Sequence, residues 1–234
     1  MDIAAWQPIS LLDYPDRMAV TLFTPGCTMR CPFCHNPDLV LPERAGAVKT
    51  FDETEVLDRI RQRAGFVDGV VITGGEPTLQ PDLADFIGEI KQLGLLIKLD
   101  TNGTRPEIIE SLLEAKLIDY VAMDIKAPRS RYAEFAGCAV DLDAIDRSMS
   151  LLRDAAIQTE FRTTVAPGLA TDDLRAIAQW LDGSDAYWLQ TFRVPPDGTL
   201  VDPAWAGREA MNAEALHTLW SEIAVHFRTG GVRE

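Results

Sequence analysis

The chain alternates between short apolar runs and amphipathic stretches, and this alternation limits its fold more than any other feature. Six runs rich in β-branched, aliphatic or aromatic residues predict strands, and apolar residues at helical spacing follow each of them, directly or after a loop. Six such units favour a parallel α/β sheet in the form of an open (β/α)6 partial barrel. The predicted strands cover residues 19–24, 69–73, 95–100, 120–124, 160–165 and 186–190.

Capping residues mark the starts of the predicted helices. Asp52 and Glu55 form a capping-box pattern, Pro106 suits a first helical turn, and Asp141 and Thr171 are predicted N-caps. The last predicted helix carries a stripe of apolar residues: Leu216, Leu219, Trp220, Ile223 and Phe227.

The remaining segments are interpreted as connections within one domain. Residues 1–18 are expected to form an N-terminal strand or hairpin arm, and residues 37–50 a loop. No internal repeat, low-complexity tract or linker stands out, so residues 1–234 are interpreted as a single domain.

Charge and hydropathy restrict the class of protein. The chain has 22 basic and 36 acidic residues, and its net charge of −14 argues against a nucleic-acid partner. No apolar run approaches the ~20 residues that a membrane span needs, and the N-terminus lacks a signal core. We therefore expect a cytoplasmic protein without a membrane partner.

Three cysteines lie within eight residues of a loop at positions 25–36, called here the cysteine loop. Cys27, Cys31 and Cys34 are spaced C-x3-C-x2-C. A cubane iron–sulfur cluster normally takes one cysteine per iron, so three cysteines leave one iron open, as catalytic metal sites require. A structural zinc site that adds His35 is the alternative, although adjacent residues bind one tetrahedral ion with difficulty. The fourth cysteine, Cys138, is interpreted as a small packed residue.

Polar residues and glycines follow the predicted strands at their carboxyl ends, where parallel sheets bind ligands. Gly74 and Gly75 let the backbone approach a ligand closely. Carboxylates at these strand ends can bind an ammonium group, ribose hydroxyls or a cation, and a lysine can bind a carboxylate. The alternative is that these residues are solvated charges at the strand ends. The charged and polar residues are Glu76, Asp100, Asn102, Asp124, Lys126 and, within a β-rich run, Arg162.

The cysteine spacing, followed by Gly74-Gly75-Glu76-Pro77, resembles the radical S-adenosylmethionine (SAM) superfamily. The longer run GCTMRCPFCHNPDLV is similar to the activating proteins of glycyl-radical enzymes, above all those that serve anaerobic ribonucleoside-triphosphate reductase. The similarity extends from Ser10 to the region of Phe192. It implies the same (β/α)6 partial barrel that the alternation predicts.

The resemblance also implies cofactors and their ligands. A 4Fe–4S cluster would be bound by Cys27, Cys31 and Cys34, with SAM at the open iron. The amino group of SAM would lie at the Gly74-Gly75-Glu76 segment, its adenine against Phe33, and Asn36 would contact it. Its ribose and carboxylate would contact residues at the following strand ends, namely Asp100, Asn102, Asp124, Lys126 and Arg162. Asp100 and Asp124 would also bind a monovalent cation.

The implied activity is reductive cleavage of SAM with an electron from an external one-electron donor, followed by removal of the α-hydrogen from a glycine of a partner enzyme. The expected partner is the large subunit of anaerobic ribonucleotide reductase. A pyruvate formate-lyase-type partner is the first alternative. A radical SAM enzyme acting on a small metabolite is the second. A non-catalytic iron–sulfur or zinc module is the third, but it leaves the strand-end residues unexplained.

Overall fold

Eight strands form one sheet in the computed structural model, which describes residues 1–46 and 48–234. The spatial order of the strands follows the chain, with β1 antiparallel to β2 and every later neighbour parallel. The strands are β1 (Ala5–Ser10), β2 (Ala19–Thr24), β3 (Gly69–Gly74), β4 (Leu96–Thr101), β5 (Tyr120–Asp124), β6 (Gln158–Val165), β7 (Ala186–Thr191) and β8 (Thr229–Arg233).

All six predicted strands are present as β2 to β7, and the predicted fold class, an α/β fold with a parallel sheet, is confirmed. The pairing between β5 and β6 sets Asp124 directly opposite Arg162. The pairing between β2 and β3 sets Thr24 opposite Gly74, so the cysteine loop leaves the sheet beside the glycine motif. Strand register thus brings distant motifs to one edge.

Helices connect the parallel strands and cover one face of the sheet. Their apolar residues join alternate strand residues such as Leu22, Ile72 and Leu99 in the main core. The α-helices are α1 (Pro37–Val40), α2 (Pro42–Ala45), α3 (Glu53–Arg61), α4 (Leu83–Gln92), α5 (Pro106–Glu114), α6 (Tyr132–Ala136), α7 (Leu142–Asp154), α8 (Thr171–Trp180) and α9 (Ala213–Ile223).

The opposite face of the sheet is apolar at one end and charged at the other. Near the amino ends of the strands, the ring of Tyr14 packs edge-on against Tyr120, with their centroids 5.7 Å apart, in a small second cluster. Alternate strand residues further along this face are charged, including Lys98, Glu160 and Arg162. The charged side chains on this face therefore lie towards the carboxyl ends of the strands, where parallel sheets bind ligands.

Several predicted boundaries are corrected at the ends of elements. The strand expected in the arm at residues 1–18 is present as β1, whereas the predicted loop at 37–50 contains α1 and α2. Residue 47 of that loop lies outside the described residues. The N-cap of α8 is Ala170 rather than Thr171, because the Asp173 carboxylate accepts the Ala170 N–H at 2.9 Å. The last helix ends at Ile223, and the unpredicted β8 follows it.

Candidate active site

Backbone hydrogen bonds on two sides hold the cysteine loop. The Gly26 N–H donates to the Leu39 carbonyl at 2.7 Å, and the Gly26 carbonyl accepts the Glu76 N–H at 2.7 Å. Further along, the Arg30 N–H donates to the Ala136 carbonyl, also at 2.7 Å. The loop is therefore attached both to the end of β3 and to α6.

A segment after β7, residues 200–205, crosses the cysteine loop and is called here the strap. The Val201 N–H donates to the Cys34 carbonyl at 3.0 Å. The Trp205 ring, itself 5 % exposed, packs with its centroid 5.9 Å from that of Phe33. Packing of this kind limits the motion of the loop that carries the thiols.

The three cysteines of the loop are free thiols in a largely dry environment. Burial raises the pKa of Cys27 to about 11 and that of Cys31 to about 12, and it also raises the pKa of Cys34. Thiols in such surroundings become thiolates when a metal centre supplies the positive charge that solvent does not. The donor set therefore fits a buried iron–sulfur cluster.

The placement of these side chains also bears on the zinc alternative. Within residues 1–46 and 48–234, no three His, Cys, Asp or Glu side chains gather around a point where one metal ion could bind them all. A structural zinc site needs such a gathering, whereas a cubane accepts each thiolate at a different iron.

The cysteine loop and the strand ends together line a cavity of about 250 Å³. Eleven of the thirteen predicted site residues contribute to its wall, so motifs separated by up to a hundred residues meet at one place. These are Cys27, Cys31, Phe33, Cys34, Asn36, Gly74, Gly75, Asp100, Asn102, Asp124 and Lys126.

Glu76 lies behind the cavity wall, and its expected contact with a ligand ammonium stays a prediction. The side chain is 0 % exposed. One carboxylate oxygen accepts from the hydroxyls of Thr78 and Thr101 at 2.6 and 2.7 Å, and the other accepts the Asn102 N–H at 2.7 Å. Burial nevertheless raises the pKa of Glu76. Its observed contacts join the ends of β3 and β4.

Arg162 also lies behind the wall, between two carboxylates of the cavity. It donates to Asp124 at 2.8 Å through Nε and to Asp100 at 3.3 Å through Nη1. Lys126 donates to Asp124 at 3.0 Å, and Lys98 donates to Asp100. Burial opposes ionisation of both aspartates, but these cations outweigh it and hold their pKa values below the ordinary range. The guanidinium thus supplies positive charge between the two carboxylates, and the monovalent cation expected there stays a prediction.

Sequence reasoning missed Lys98, which donates to the cavity residue Asp100, and several residues of the cavity wall. Lys98 is 1 % exposed within β4, and it reads as an interruption of an apolar strand rather than as a site residue. Its position two residues before Asp100 on the same face was the available signal. The unpredicted wall residues are Met29, Val40, Thr73, Thr101 and Thr164, and His35 also lines the cavity.

Cys138 lies near the cysteine loop but does not line the cavity. Its Sγ is 3.5 Å from the Thr28 carbonyl oxygen, and its side chain is partly buried. Asn102 makes a more direct contact with the cysteine loop, because its amide nitrogen lies 2.9 Å from the Thr28 hydroxyl and 3.7 Å from the Cys27 sulfur. These contacts relate the cysteine loop to α6 and to the end of β4.

A parallel α/β sheet with three free thiols beside a strand-end cavity defines a protein suited to holding a metal cluster next to a small ligand. The chain belongs to the radical SAM superfamily, whose signature matches residues 21–181. Members of this superfamily use a 4Fe–4S cluster and SAM. No helix among the described residues has the length and apolar character needed to cross a membrane.

The chain is also similar to individual proteins. The chain is 37 % identical over 192 residues to a candidate glycyl-radical enzyme activating enzyme of Methanocaldococcus jannaschii, a match covering 79 % of this chain and 77 % of that protein. It is 37 % identical over 114 residues to the pyruvate formate-lyase-activating enzyme of Listeria monocytogenes, covering 45 % of each chain. Streptococcus suis SuiB, solved with S-adenosylmethionine, shares the fold with a TM-score of 0.68 at 14 % identity, over 92 % of this chain and 52 % of SuiB.

Proposed function

We propose that this protein is an activating enzyme that cleaves SAM reductively and generates a glycyl radical on anaerobic ribonucleoside-triphosphate reductase. The observation that carries the proposal is the shared cavity of the three thiols and the glycine motif. The similarity to a candidate activating enzyme over 79 % of the chain supports the reaction class. The choice of partner follows from the resemblance of the cysteine loop and its flanking motifs.

In this proposal the thiols of Cys27, Cys31 and Cys34 hold the cluster. When bound, the cluster and SAM supply a carbon-centred radical that can abstract a hydrogen atom. The protein contributes a dry environment for the thiolates and fixes their positions through the strap and α6. An external one-electron donor provides the reducing electron.

The strand ends would hold SAM beside the thiols. The backbone at Gly74 and Gly75 approaches the cavity without a side chain in the way, which suits the polar end of the methionyl moiety. Asp100 and Lys126 both line the cavity, where Asp100 would accept from ribose hydroxyls and Lys126 would pair with the SAM carboxylate. Arg162 would keep both aspartates ionised and oriented from behind.

A pyruvate formate-lyase-type partner is the second candidate. The observation in its favour is the 37 % identity to an activating enzyme of pyruvate formate-lyase, although that match covers 45 % of this chain. Both partners present the same chemical target, the α-hydrogen of a glycine on a loop. The glycine Cα radical is stabilised by its two flanking amides, so one site suits either partner.

The first test is cleavage of SAM without a partner. We expect anaerobically reconstituted protein with dithionite and SAM to release 5′-deoxyadenosine, and the Cys31→Ala variant to release none. A fully loaded cluster that yields no 5′-deoxyadenosine would contradict the proposed reaction and favour a non-catalytic iron–sulfur module.

The second test identifies the partner. The reduced protein and SAM are mixed separately with anaerobic ribonucleotide reductase and with pyruvate formate-lyase, and glycyl radical is quantified by electron paramagnetic resonance (EPR). We expect the radical signal with the reductase. A signal only with pyruvate formate-lyase would reassign the partner, and SAM cleavage without a signal from either would favour a small-metabolite substrate.

A further inference from the structure

The side-chain amide of Asn102 lies in a fixed orientation beside the cysteine loop. The residue directly follows β4 and is 6 % exposed. Its carbonyl oxygen accepts the backbone N–H of Thr104 at 3.1 Å and the Thr104 hydroxyl at 2.7 Å. Because a backbone N–H can only donate, this contact establishes which end of the amide is the oxygen. The amide nitrogen therefore faces the cysteine loop.

Two acceptors of the cysteine loop take the two N–H groups of this nitrogen. The nitrogen lies 2.9 Å from the Thr28 hydroxyl oxygen and 3.7 Å from the Cys27 sulfur, which is the larger atom. Among the residues that the structure describes, Cys27 is the one cysteine of the loop whose sulfur accepts a hydrogen bond from a side chain. The amide thus contacts one predicted cluster ligand selectively.

The groups next to this sulfur form a closed ring of hydrogen bonds. The Asn102 amide donates to the Thr28 hydroxyl, and the Thr104 hydroxyl donates to the Asn102 carbonyl oxygen. The two threonine hydroxyls are 2.9 Å apart, and Thr28 is the donor between them because Thr104 has already used its proton. All three bonds run in one direction, so they polarise the amide and strengthen its remaining N–H as a donor.

The sulfur that receives this N–H is held in place by the backbone of the loop. The Met29 N–H donates to the Cys27 sulfur at 3.4 Å, and the Arg30 guanidinium donates to the Cys27 carbonyl at 2.6 Å. The preceding Gly26 is hydrogen-bonded through both its N–H and its carbonyl. A thiolate that binds one iron keeps two lone pairs, so Cys27 can bind a cluster and still accept from both donors.

We propose that Asn102 is a positioning residue that acts through Cys27, and that its N–H···S bond raises the reduction potential of the bound cluster. The reduced cluster carries one more negative charge, part of it on the sulfurs, and a donor aimed at a sulfur stabilises that charge. The inference rests on the cluster of the proposed function and is independent of SAM and of the partner enzyme. It gives the end of β4 a part in accepting the reducing electron.

The test compares Asn102→Leu with the wild-type full chain, both reconstituted anaerobically to the same iron content. Leucine is similar in size and shape to asparagine but has no side-chain N–H. An EPR-monitored redox titration without SAM or partner gives the midpoint potential. We expect the equilibrium constant for one-electron reduction to fall roughly three- to tenfold, a shift of roughly 28–59 mV to more negative potential. An unchanged potential at equal iron content would overturn the proposal.

Ser148→Ala is the matched control. Ser148 lies on α7, is fully buried, and its hydroxyl donates to the Gly103 carbonyl at 2.7 Å. Its replacement loosens the same turn after β4 but leaves the donors of the Cys27 sulfur unchanged. We expect this variant to lose stability and keep the wild-type potential. An equal shift in both variants would show that the turn, and not the N–H···S bond, sets the potential.

A spectroscopic measurement keeps the test decisive if Asn102→Leu does not bind iron. The chain has three asparagines, of which Asn36 also lines the cavity and Asn212 caps α9 outside its wall. Cell-free synthesis of Asn36→Asp with asparagine carrying ¹⁵N only in the side-chain amide therefore leaves Asn102 as the labelled residue at the cavity.

Pulsed EPR of the reduced cluster then detects the labelled nitrogen. We expect a ¹⁵N hyperfine coupling transmitted through the hydrogen bond to the Cys27 sulfur. A reduced cluster without this coupling would contradict the inference alone. Protein that takes up no iron would instead contradict the cluster of the proposed function, so the two failures are distinguishable.

Discussion

Asn102 shows how a single side chain sets the position of a thiol. Its amide nitrogen lies near the Thr28 hydroxyl and the Cys27 sulfur, while its carbonyl oxygen accepts from the hydroxyl and the N–H of Thr104. Its own backbone N–H is held by Glu76. Residues after β3 and β4 therefore orient the first cysteine, although they are far from it in the chain.

Replacing one thiol tests the cluster ligands at the scale of the residue. We expect Cys31→Ala to lose most of its iron and its visible absorbance after anaerobic reconstitution, because the remaining two thiols bind a cubane weakly. Cys138→Ala is the matched control and should retain the wild-type iron content. Equal iron loss in both variants would show that a missing cysteine damages the fold rather than the site.

Asp124 provides a pH-dependent prediction for the cluster-free protein. Burial raises the pKa of its carboxyl, but Arg162 and Lys126 outweigh burial and lower it below the ordinary 3.8. The native state therefore binds fewer protons than the unfolded state, and this stabilisation is present above pH 3.8 and lost as the pH falls through the native pKa.

We expect Asp124→Asn to reduce the free energy of unfolding by roughly 1–3 kcal/mol at pH 7, because Arg162 and Lys126 lose their charged partner. The Asp124 side chain is part-exposed, and solvent screening keeps the loss moderate. The difference from wild type should shrink as the pH falls below 3.8. Urea unfolding at pH 7, 5 and 3.5 measures it. A difference that stays constant over this range would mean that the charge of Asp124 does not stabilise the fold.

At the scale of elements, the end of β3 and the cysteine loop approach each other at backbone distance. A Cβ on Gly75 would lie 1.9 Å from the Gly26 carbonyl oxygen, which also accepts the Glu76 N–H. The glycine pair therefore serves close packing as well as ligand access. The sequence predicts the ligand access, but the contact with Gly26 depends on the pairing of β2 with β3.

Gly75→Ala should displace the cysteine loop and lower the iron content after reconstitution at least severalfold, with a loss of stability of about 2–4 kcal/mol from the backbone clash. Gly88→Ala is the control, because nothing lies within 4 Å of its Cβ position in α4. That helical substitution should raise stability by about 0.5–1 kcal/mol. Wild-type iron content in Gly75→Ala would refute the close approach.

At the scale of the whole molecule, β8 ties the end of the chain to the charged face of the sheet. Arg233 donates two hydrogen bonds to Glu160 on β6, at 3.0 and 2.7 Å, and its guanidinium lies 4.0 Å from the centroid of the Trp188 ring. Tyr120 donates to the same carboxylate at 2.9 Å. Glu160 is 1 % exposed, so these donors supply the hydrogen bonds that solvent does not.

We expect Arg233→Ala to destabilise the protein by about 2–4 kcal/mol, because it leaves the buried Glu160 carboxylate short of its main cation. Arg228→Ala, whose side chain is 84 % exposed, should change stability by less than about 0.5 kcal/mol. Urea unfolding of both variants at pH 7 measures the contrast. Similar values for the two would indicate that β8 contributes little to the stability of the sheet.

The sequence by itself determined the strand-and-helix alternation, the parallel α/β class and most of the cavity wall. Apolar residues at every second position or at helical spacing form local patterns, so the strands and helices could be predicted from the sequence. The carboxyl ends of all strands in a parallel sheet lie at one edge, so residues such as Asp100 and Lys126 could be assigned to one site. Strand β8 escaped prediction because Gly230 and Gly231 weaken its pattern and pairing with β7 stabilises it instead.

Only the tertiary structure decided which of these side chains face the cavity. Glu76 and Arg162 carry the charges that a ligand would require, yet both lie behind the wall, where donors from neighbouring strands satisfy Glu76 and carboxylates satisfy Arg162. The strap and the contact of α6 with the cysteine loop were likewise absent from any local pattern. Such contacts join residues far apart in the chain, and packing and register establish them rather than residue type or spacing.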